Sequence, residues 1–400
     1  MLKSQPYKLK NTIQNYKWGT MGKNAFIPKL LNIKADKDKP YAELWMGAHP
    51  KAPSQILIDG KEHDLNEIIR QYPGEMLGSK VSKRFSGTLP FLFKVLSANE
   101  ALSIQVHPSK RQAKALHKKD PINYSDPNQK LEIAIALDSL TALIGFKPLK
   151  QITKMLKDYP EIRDFIGANV RSISVKRNNF KEMFTRLVKK SLSDPGELNM
   201  VIQNLSNRIS KKKTKTEVEK YFIALHKKYD NDIGLLILFF LNLAHLKRGE
   251  AIFTKPGIPH AYLKGNILEC MSNSDNVIRA GLTPKYKDMK NLLKVLTFEL
   301  GSPKVSKGFR KGNSVVYKTD AKEFVIQIFN SSNKALNFEN QTGPRILLIL
   351  NGAVKISFNG EGELKSEKFI KGNSVFLPSI LSKFKITTEK SWSFVLVSVP

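Results

Sequence analysis

The chain has 400 residues, 41% of them hydrophobic and 25% charged, with a formal net charge of +31. That length and balance describe a soluble globular protein of two or three domains and exclude a fibrous or disordered chain. The single cysteine, Cys270, excludes an intrachain disulfide and fits a reducing compartment. The positive charge is dispersed, mostly as single or paired lysines, with Lys211-Lys212-Lys213 as the densest block. It lacks the focused, aromatic-interleaved patch of a nucleic-acid surface, yet it favours a small anionic ligand. The opening MLKSQPYKLKNTIQNYKWGT carries no apolar segment, so the expectation is a cytoplasmic protein with neither nucleic-acid nor membrane partners.

In chain order, residues 1–147 read as short strands and turns. Ser54 to Ile58 precedes the turn Asp59-Gly60, and Leu89 to Leu96 forms a second run. Leu131 to Leu137 and Thr141 to Phe146 follow the loop at Asp126-Pro127-Asn128 as two further strands. Trp18 and Trp45 read as core residues rather than cavity walls. From 148 to 247 the spacing becomes helical, over Pro148–Tyr159, Asn179–Ser191, Gly196–Lys211 and Thr216–Lys228. Asp194-Pro195-Gly196 separates one pair, and Asp232 is a candidate cap for the apolar run that follows. That run, Ile233 to Leu246, is too short to cross a bilayer and reads as a buried helix.

Strands resume in the last third, where Arg345–Leu350, Asn351-Gly352 and Ala353–Phe358 form a hairpin signal. RGEAIFTKPGIPHAY (248–262) and KGNSVFLPSILSKF (371–384) echo each other as Gly turn, short strand, Pro and loop. Many double-stranded β-helix (cupin, jelly-roll) domains enter their ligand-side strand in this way. Only the first copy carries a histidine, His260.

The seven histidines and one cysteine limit any metal site to nitrogen and oxygen donors. His117 and His226 lie among lysines and read as solvated; His63 and His245 have no donor neighbours, and His245 reads as a helix-end residue. Three histidines adjoin proline: His49, His107 and His260. In SIQVHPSK, Gln105 and His107 are two apart and share one face of a strand, and His260 follows a Gly/Pro turn. Glu132 opens an apolar strand, where a charge is costly unless paired, exposed or ligated. Gln105, His107, Glu132 and His260 would together make a site suited to zinc, with water completing the shell.

Longer motifs carry a resemblance. QNYKWGT (14–20), AELWMGAHPKAPS (42–54), PFLFKVLSANEALSIQVHPSK (90–110), DPNQKLEIAIAL (126–137) and GEAIFTKPGIPHAYLKGNILECMSNSDNVIRAGLTPKYKD (249–288) resemble the type I mannose-6-phosphate isomerases over residues 7 to about 295. The resemblance implies a zinc enzyme, with one zinc per chain, interconverting mannose 6-phosphate and fructose 6-phosphate. It further implies a phosphorylated hexose as partner, a monomeric chain, and a reaction that supplies GDP-mannose synthesis or feeds mannose into glycolysis. It implies a mainly β fold: a cupin catalytic domain (1–147 and 248–315), an all-helical insertion (148–247) and a C-terminal cupin-like domain (316–400). Carried over residue by residue, the zinc ligands fall on Gln105, His107, Glu132 and His260, and the active-site arginine on Arg279. Lys130, Glu269, Asp275 and Lys285 match pocket positions; Ser103, Lys94 and Lys285 match positions associated with the phosphate. Arg279 suits electrostatic stabilisation, because a guanidinium does not deprotonate near neutrality. Glu269 and Lys130 stand level as the base, and Asp275 is a candidate for ring opening. Where most of the family has Asn-His-Lys-Pro-Glu, this chain has Asn128-Gln129-Lys130-Leu131-Glu132, so any proton-transfer role for that histidine is either not general or does not operate here.

Two other classes compete. A cupin oxygenase would favour a His/carboxylate facial set with open positions, which the amide ligand and the lysines disfavour. A basic sugar- or nucleic-acid-binding protein has no need of Glu132 and Arg279 beside a metal.

Overall fold

The computed structural model describes residues 2–167, 177–331, 335–388 and 392–400; residues 168–176 of the expected helical block lie outside them. The fold is mainly β with a helical block, as expected. Its first sheet has ten strands, running Val305–Ser306, Ala251–Thr254, Glu132–Phe146, His260–Ser272, Phe91–Ala98, Glu43–Gly47 and Thr12–Gln14, with three more joined off that path. Strict alternation gives this sheet two unlike faces. Leu44, Met46, Phe93, Val95, Ile133, Ile135, Leu268 and Cys270 point one way, into a core shared with Ile326, Ile346, Leu348, Val395 and Val397 of the C-terminal unit. Glu43, Trp45, Lys94, Glu132 and Glu269 alternate with them and point the other way, into a cleft.

The C-terminal unit packs a seven-stranded sheet on a four-stranded one. Arg345–Asn351 is buried on both faces: Ile346 and Leu348 belong to the core shared with the first sheet, Leu347 and Ile349 to the core between the two C-terminal sheets. Its unbroken Ile-Leu-Leu-Ile-Leu run is the sequence trace of that double burial. Ala353–Gly360 alternates instead, with only one face inward. The two therefore do not form the expected hairpin. Arg345–Asn351 pairs with Ser374–Leu377 and Trp392–Ser398, while Ala353–Gly360 pairs with Glu363–Ile370 and Phe384–Thr387 in the other sheet. Asn351-Gly352 is a corner between sheets, and Gly352 takes a left-handed φ of 73° there.

Sheet membership also moves the expected domain limits. Tyr7–Lys8 pairs with Ser374–Leu377, so the first residues form a strand of the C-terminal sheet and strap the two units together. Val305–Ser306 closes the first sheet and Phe309–Lys311 begins the second, which places the crossover at Lys307-Gly308. The two strands expected at 131–137 and 141–146 are one, Glu132–Phe146, with a register irregularity at Asp138-Ser139. The run Ile233 to Leu246 is not a single helix: it is a short helix Gly234–Ile237, a 3-10 turn Leu238–Phe240 and a strand Leu241–Lys247 on the first sheet. His245 is accordingly an exposed strand residue paired with Glu217 at 2.8 Å, not a helix end. Asp232 does satisfy backbone donors, but of Gly234 and of Leu282 across the interface. Gly234 and Gly281 meet back to back there; a Cβ on Gly281 would lie 2.4 Å from the Gly234 Cα. This contact anchors the strand Ile278–Gly281, which carries Arg279.

The expected helices are present as Leu149–Asp158, Arg177–Ser193, Pro195–Ser210 and Glu217–Tyr229. The echoed segments share a local form: Gly249 and Gly372 both take left-handed φ, 80° and 85°, ahead of the strands Ala251–Thr254 and Ser374–Leu377. If the amino-terminal strap carries part of the interdomain core, truncating its buried Leu9 should cost about 2–4 kcal/mol. Urea unfolding of Leu9→Ala measures this, and a loss within the roughly 0.5 kcal/mol of a surface substitution would contradict it.

Candidate metal centre and active site

The short strand Ile104–Val106 ends at His107-Pro108, and Ser109 then caps the helix Lys110–Lys119 through a reciprocal capping box with Gln112. His107 is thus fixed at a strand-to-helix junction. Its Nδ1 lies 2.8 Å from the Asn276 carbonyl oxygen. Asn276 is itself held by amide hydrogen bonds to the carbonyls of Asp126 and Asn128, the loop that leads into Glu132. His260, at the start of its strand, lies opposite Gln105 in the ladder and places Nδ1 3.0 Å from the Ile258 carbonyl. Donating Nδ1–H to a carbonyl leaves each imidazole with a bare Nε2.

Both bare nitrogens face Glu132. His107 Nε2 is 3.3 Å and His260 Nε2 3.2 Å from the same oxygen, Oε2. All three residues are buried, and His107 Nε2 and Glu132 Oε2 have no hydrogen-bond donor among the described residues. Three lone-pair atoms therefore converge in a dry site, an arrangement that repels itself unless a cation lies among them. One donor atom from each residue lies within 4.8 Å of the others. The Gln105 amide reaches the same point, its Nε2 3.4 Å from His260 Nε2; a half-turn of the amide offers the oxygen instead. The donor set fits a divalent metal. Burial pushes the His107 imidazole down to about 4, so it is neutral as a ligand must be. Burial alone would favour a protonated Glu132, but the Lys130 ammonium is the largest opposing influence, and the carboxyl is held well below its ordinary value.

The centre lies at the floor of a 1140 Å³ cleft, and all seven other site residues expected from the sequence line it. Lys130 Nζ is 2.9 Å from Glu132 Oε1. Arg279 lies directly across the ladder from Gln105; its guanidinium has no partner among the described residues, and half-burial lowers its pKa. Glu269 is buried, and desolvation with the nearby Glu132 charge pushes its carboxyl up to about 7. Asp275 sits at the side, 3.3 Å from His49 Nε2 and 2.6 Å from Lys51 Nζ. Although burial works the other way, these partners hold its carboxyl well below the ordinary range. Ser103 and Lys285 stand at the wall and rim.

Lys94 lines the cleft from inside a buried ion cluster. Its ammonium is buried between Glu43 at 3.2 Å and Glu269 at 3.6 Å, and lies 4.7 Å above the Trp45 ring. Trp18 and Trp45 line the cleft and pack into the core as expected, Trp45 buried against Ala52, Leu92 and Met271. Two buried polar residues of the cleft escaped the sequence reading, Glu43 and Tyr262. Glu43 had the same signal as Glu132, a carboxylate on an otherwise apolar strand. Tyr262 follows His260 by two on the same face, and its hydroxyl is buried without a partner among the described residues.

Residues 7–149 match the family model for the catalytic domain of type I phosphomannose isomerase. The mannose-6-phosphate isomerase of Schizosaccharomyces pombe is 37% identical over 87% of this chain and 89% of its own. That of Saccharomyces cerevisiae is 35% identical over 90% of this chain and 91% of its own. Among solved structures, a mutant phosphomannose isomerase from Salmonella typhimurium superimposes with a TM-score of 0.87 at 30% identity, covering 98% of both chains. A zinc-bound mannose 6-phosphate isomerase superimposes with a TM-score of 0.85, at the same identity and coverage.

The converging lone pairs predict one divalent ion per chain by elemental analysis of the purified protein, with a thermal midpoint that falls on chelation. His107→Ala should lose the ion and the chelator response together; a stoichiometric ion retained in that variant would contradict the ligand set.

Proposed function

This chain belongs to the type I phosphomannose isomerase family, and we propose that it is a zinc-dependent isomerase interconverting mannose 6-phosphate and fructose 6-phosphate in this cleft. The observation that carries the reading is the buried convergence of Gln105, His107, Glu132 and His260 beneath a cleft with unpaired cations. We further assign both β units to the cupin class, because each runs a Gly turn and short strand into the start of the next strand.

Moving the carbonyl from C1 to C2 transfers a proton from C2 to C1 and a hydroxyl proton from O2 to O1, by way of an enediol(ate). A metal held by the four ligands, with a net positive charge left over, supplies Lewis-acid polarisation of sugar oxygens. Glu269 is the base that carries the carbon-bound proton. Its carboxylate faces the cleft from a dry strand, where desolvation raises basicity toward the working pH. Lys130 is less suited to that step, since its ammonium is bound to Glu132 Oε1. It serves instead as a fixed cation and donor beside the sugar. Arg279 projects a permanent charge beside Gln105 and stabilises the oxygen that becomes anionic. Asp275, braced by His49 and Lys51, is an acceptor for a ring hydroxyl during opening.

The phosphate dianion needs cations that this chain has not already paired. Of those lining the cleft, Lys17, Arg279 and Lys285 make no ion pair among the described residues, whereas Lys51, Lys94, Lys130, Lys228 and Lys287 do. Lys285 at the rim and the Ser103 hydroxyl are therefore the phosphate contacts, and Lys94, already shared by two carboxylates, is not one.

With zinc restored, purified protein should convert mannose 6-phosphate to fructose 6-phosphate in a coupled assay; no turnover refutes the reading. Arg279→Ala should retain the metal and lose about 10²–10³ in kcat, while Lys285→Ala should raise KM about tenfold with little change in kcat. Glu269 works only when ionised, so kcat should fall as pH drops through its pKa. A bound cation draws that value down from about 7 toward the ordinary 4.5, placing the acid limb between them. Glu269→Gln should remove about 10²–10⁴ of the rate, and near-normal kcat in that variant would rule it out as the base.

A further inference from the structure

We propose that Glu43 is a positioning residue for the isomerisation: its carboxylate, steadied by the Trp45 indole, holds the Lys94 ammonium in place between itself and Glu269. The inference rests on the reading of Glu269 as base and goes beyond it, since Glu43 acts on the reaction only through Lys94.

Trp45 and Glu269 are the direct cross-strand partners of Lys94 on its two sides, so all three side chains leave the sheet on the cleft face at one level. Glu43, two residues before Trp45, shares that face. Its Oε2 accepts the Trp45 indole N–H and is also the atom 3.2 Å from Lys94 Nζ. Lys94 meets Glu269 Oε2 at 3.6 Å on its far side, with the Trp45 ring beneath it. The ammonium is enclosed by two carboxylates and an aromatic face, and every member of the cluster is buried.

One cation shared between two buried anions has a chemical consequence. Lys94 stays charged, because burial, which would discharge it, is outweighed by Glu43, Glu269 and Glu132. Glu43 competes for that charge, so Glu269 is held in place without being fully neutralised. It also adds a like charge nearby, which keeps the Glu269 carboxyl basic. If Glu43 loses its charge, Lys94 closes onto Glu269 alone. Glu269 then becomes easier to ionise and weaker as a base.

The test is the pH dependence of kcat for zinc-loaded, full-length Glu43→Gln, an isosteric change that removes only the charge. The expected result is a kcat reduced about tenfold, short of the loss of the base itself. KM should stay within about twofold, and the acid limb should move about one unit to lower pH. An acid limb that stays in place or moves up overturns the proposal. Should Glu43→Gln fail to fold, Trp45→Phe keeps the ring and removes only the N–H that steadies Glu43. The limb should move down there too, by less, and an unmoved limb in a folded Trp45→Phe overturns the proposal as well. Failure of the underlying reading looks different: Glu269→Gln would keep its activity whatever Glu43 does.

Discussion

Two bare imidazole nitrogens and a carboxylate oxygen crowd together in a buried site, and the rest of the structure is arranged to keep them there. Left without a cation, Glu132 Oε2, 3.3 and 3.2 Å from the two Nε2 atoms, would face only lone pairs. Relief by protonation is resisted: burial disfavours a charged His107, and Lys130 favours an ionised Glu132. Breaking such a buried cluster by removing one partner typically costs about 3–5 kcal/mol. Holding it intact falls to Pro108 and the Ser109 cap on one side, and on the other to the Asn276 amide that ties the Asp126–Asn128 loop to the ligand strands.

The two-faced first sheet ties this centre to the architecture. Because side chains alternate, each strand that offers Glu43, Lys94, Glu132 or Glu269 to the cleft offers Leu44, Val95, Ile133 or Leu268 to the opposite side. Those apolar residues are buried in a core to which the C-terminal sheet contributes together with Ile27, Leu30, Leu65 and Ile68 of the amino-terminal helices. The C-terminal unit thus acts as the second wall of the catalytic sheet, and the strap at Tyr7–Lys8 sews it on. Without that cover, the strands carrying the ligands would expose an apolar face to water and lose the constraint that sets their register.

What was legible in the sequence follows the range of the interactions involved. Gln105 and His107 could be paired because a period of two is a local property, and Glu132 stood out because a charge on an apolar strand demands a reason. Glu43 offers the same reason, yet its only partner near in sequence is the Trp45 indole; the cation it needs, Lys94, comes from another strand. The ion cluster around Lys94 was illegible for the same cause, since its two carboxylates are 51 and 175 positions away along the chain. Asn351-Gly352 has hairpin chemistry, but which sheet each flanking strand joins depends on who covers its faces. The run Ile233 to Leu246 was ambiguous in principle, because a continuous apolar stretch carries no period to separate helix from buried strand. The helices with polar faces, by contrast, were found where their spacing put them.

The central claim is that this chain's own donors, two imidazoles with an amide and a carboxylate oxygen, form the inner shell of a zinc ion. X-ray absorption at the zinc edge of the loaded protein tests it most directly. The account predicts two imidazole nitrogens plus oxygen donors at about 2.0–2.2 Å, with no sulfur. A shell made only of water oxygens, or one containing sulfur, would contradict it.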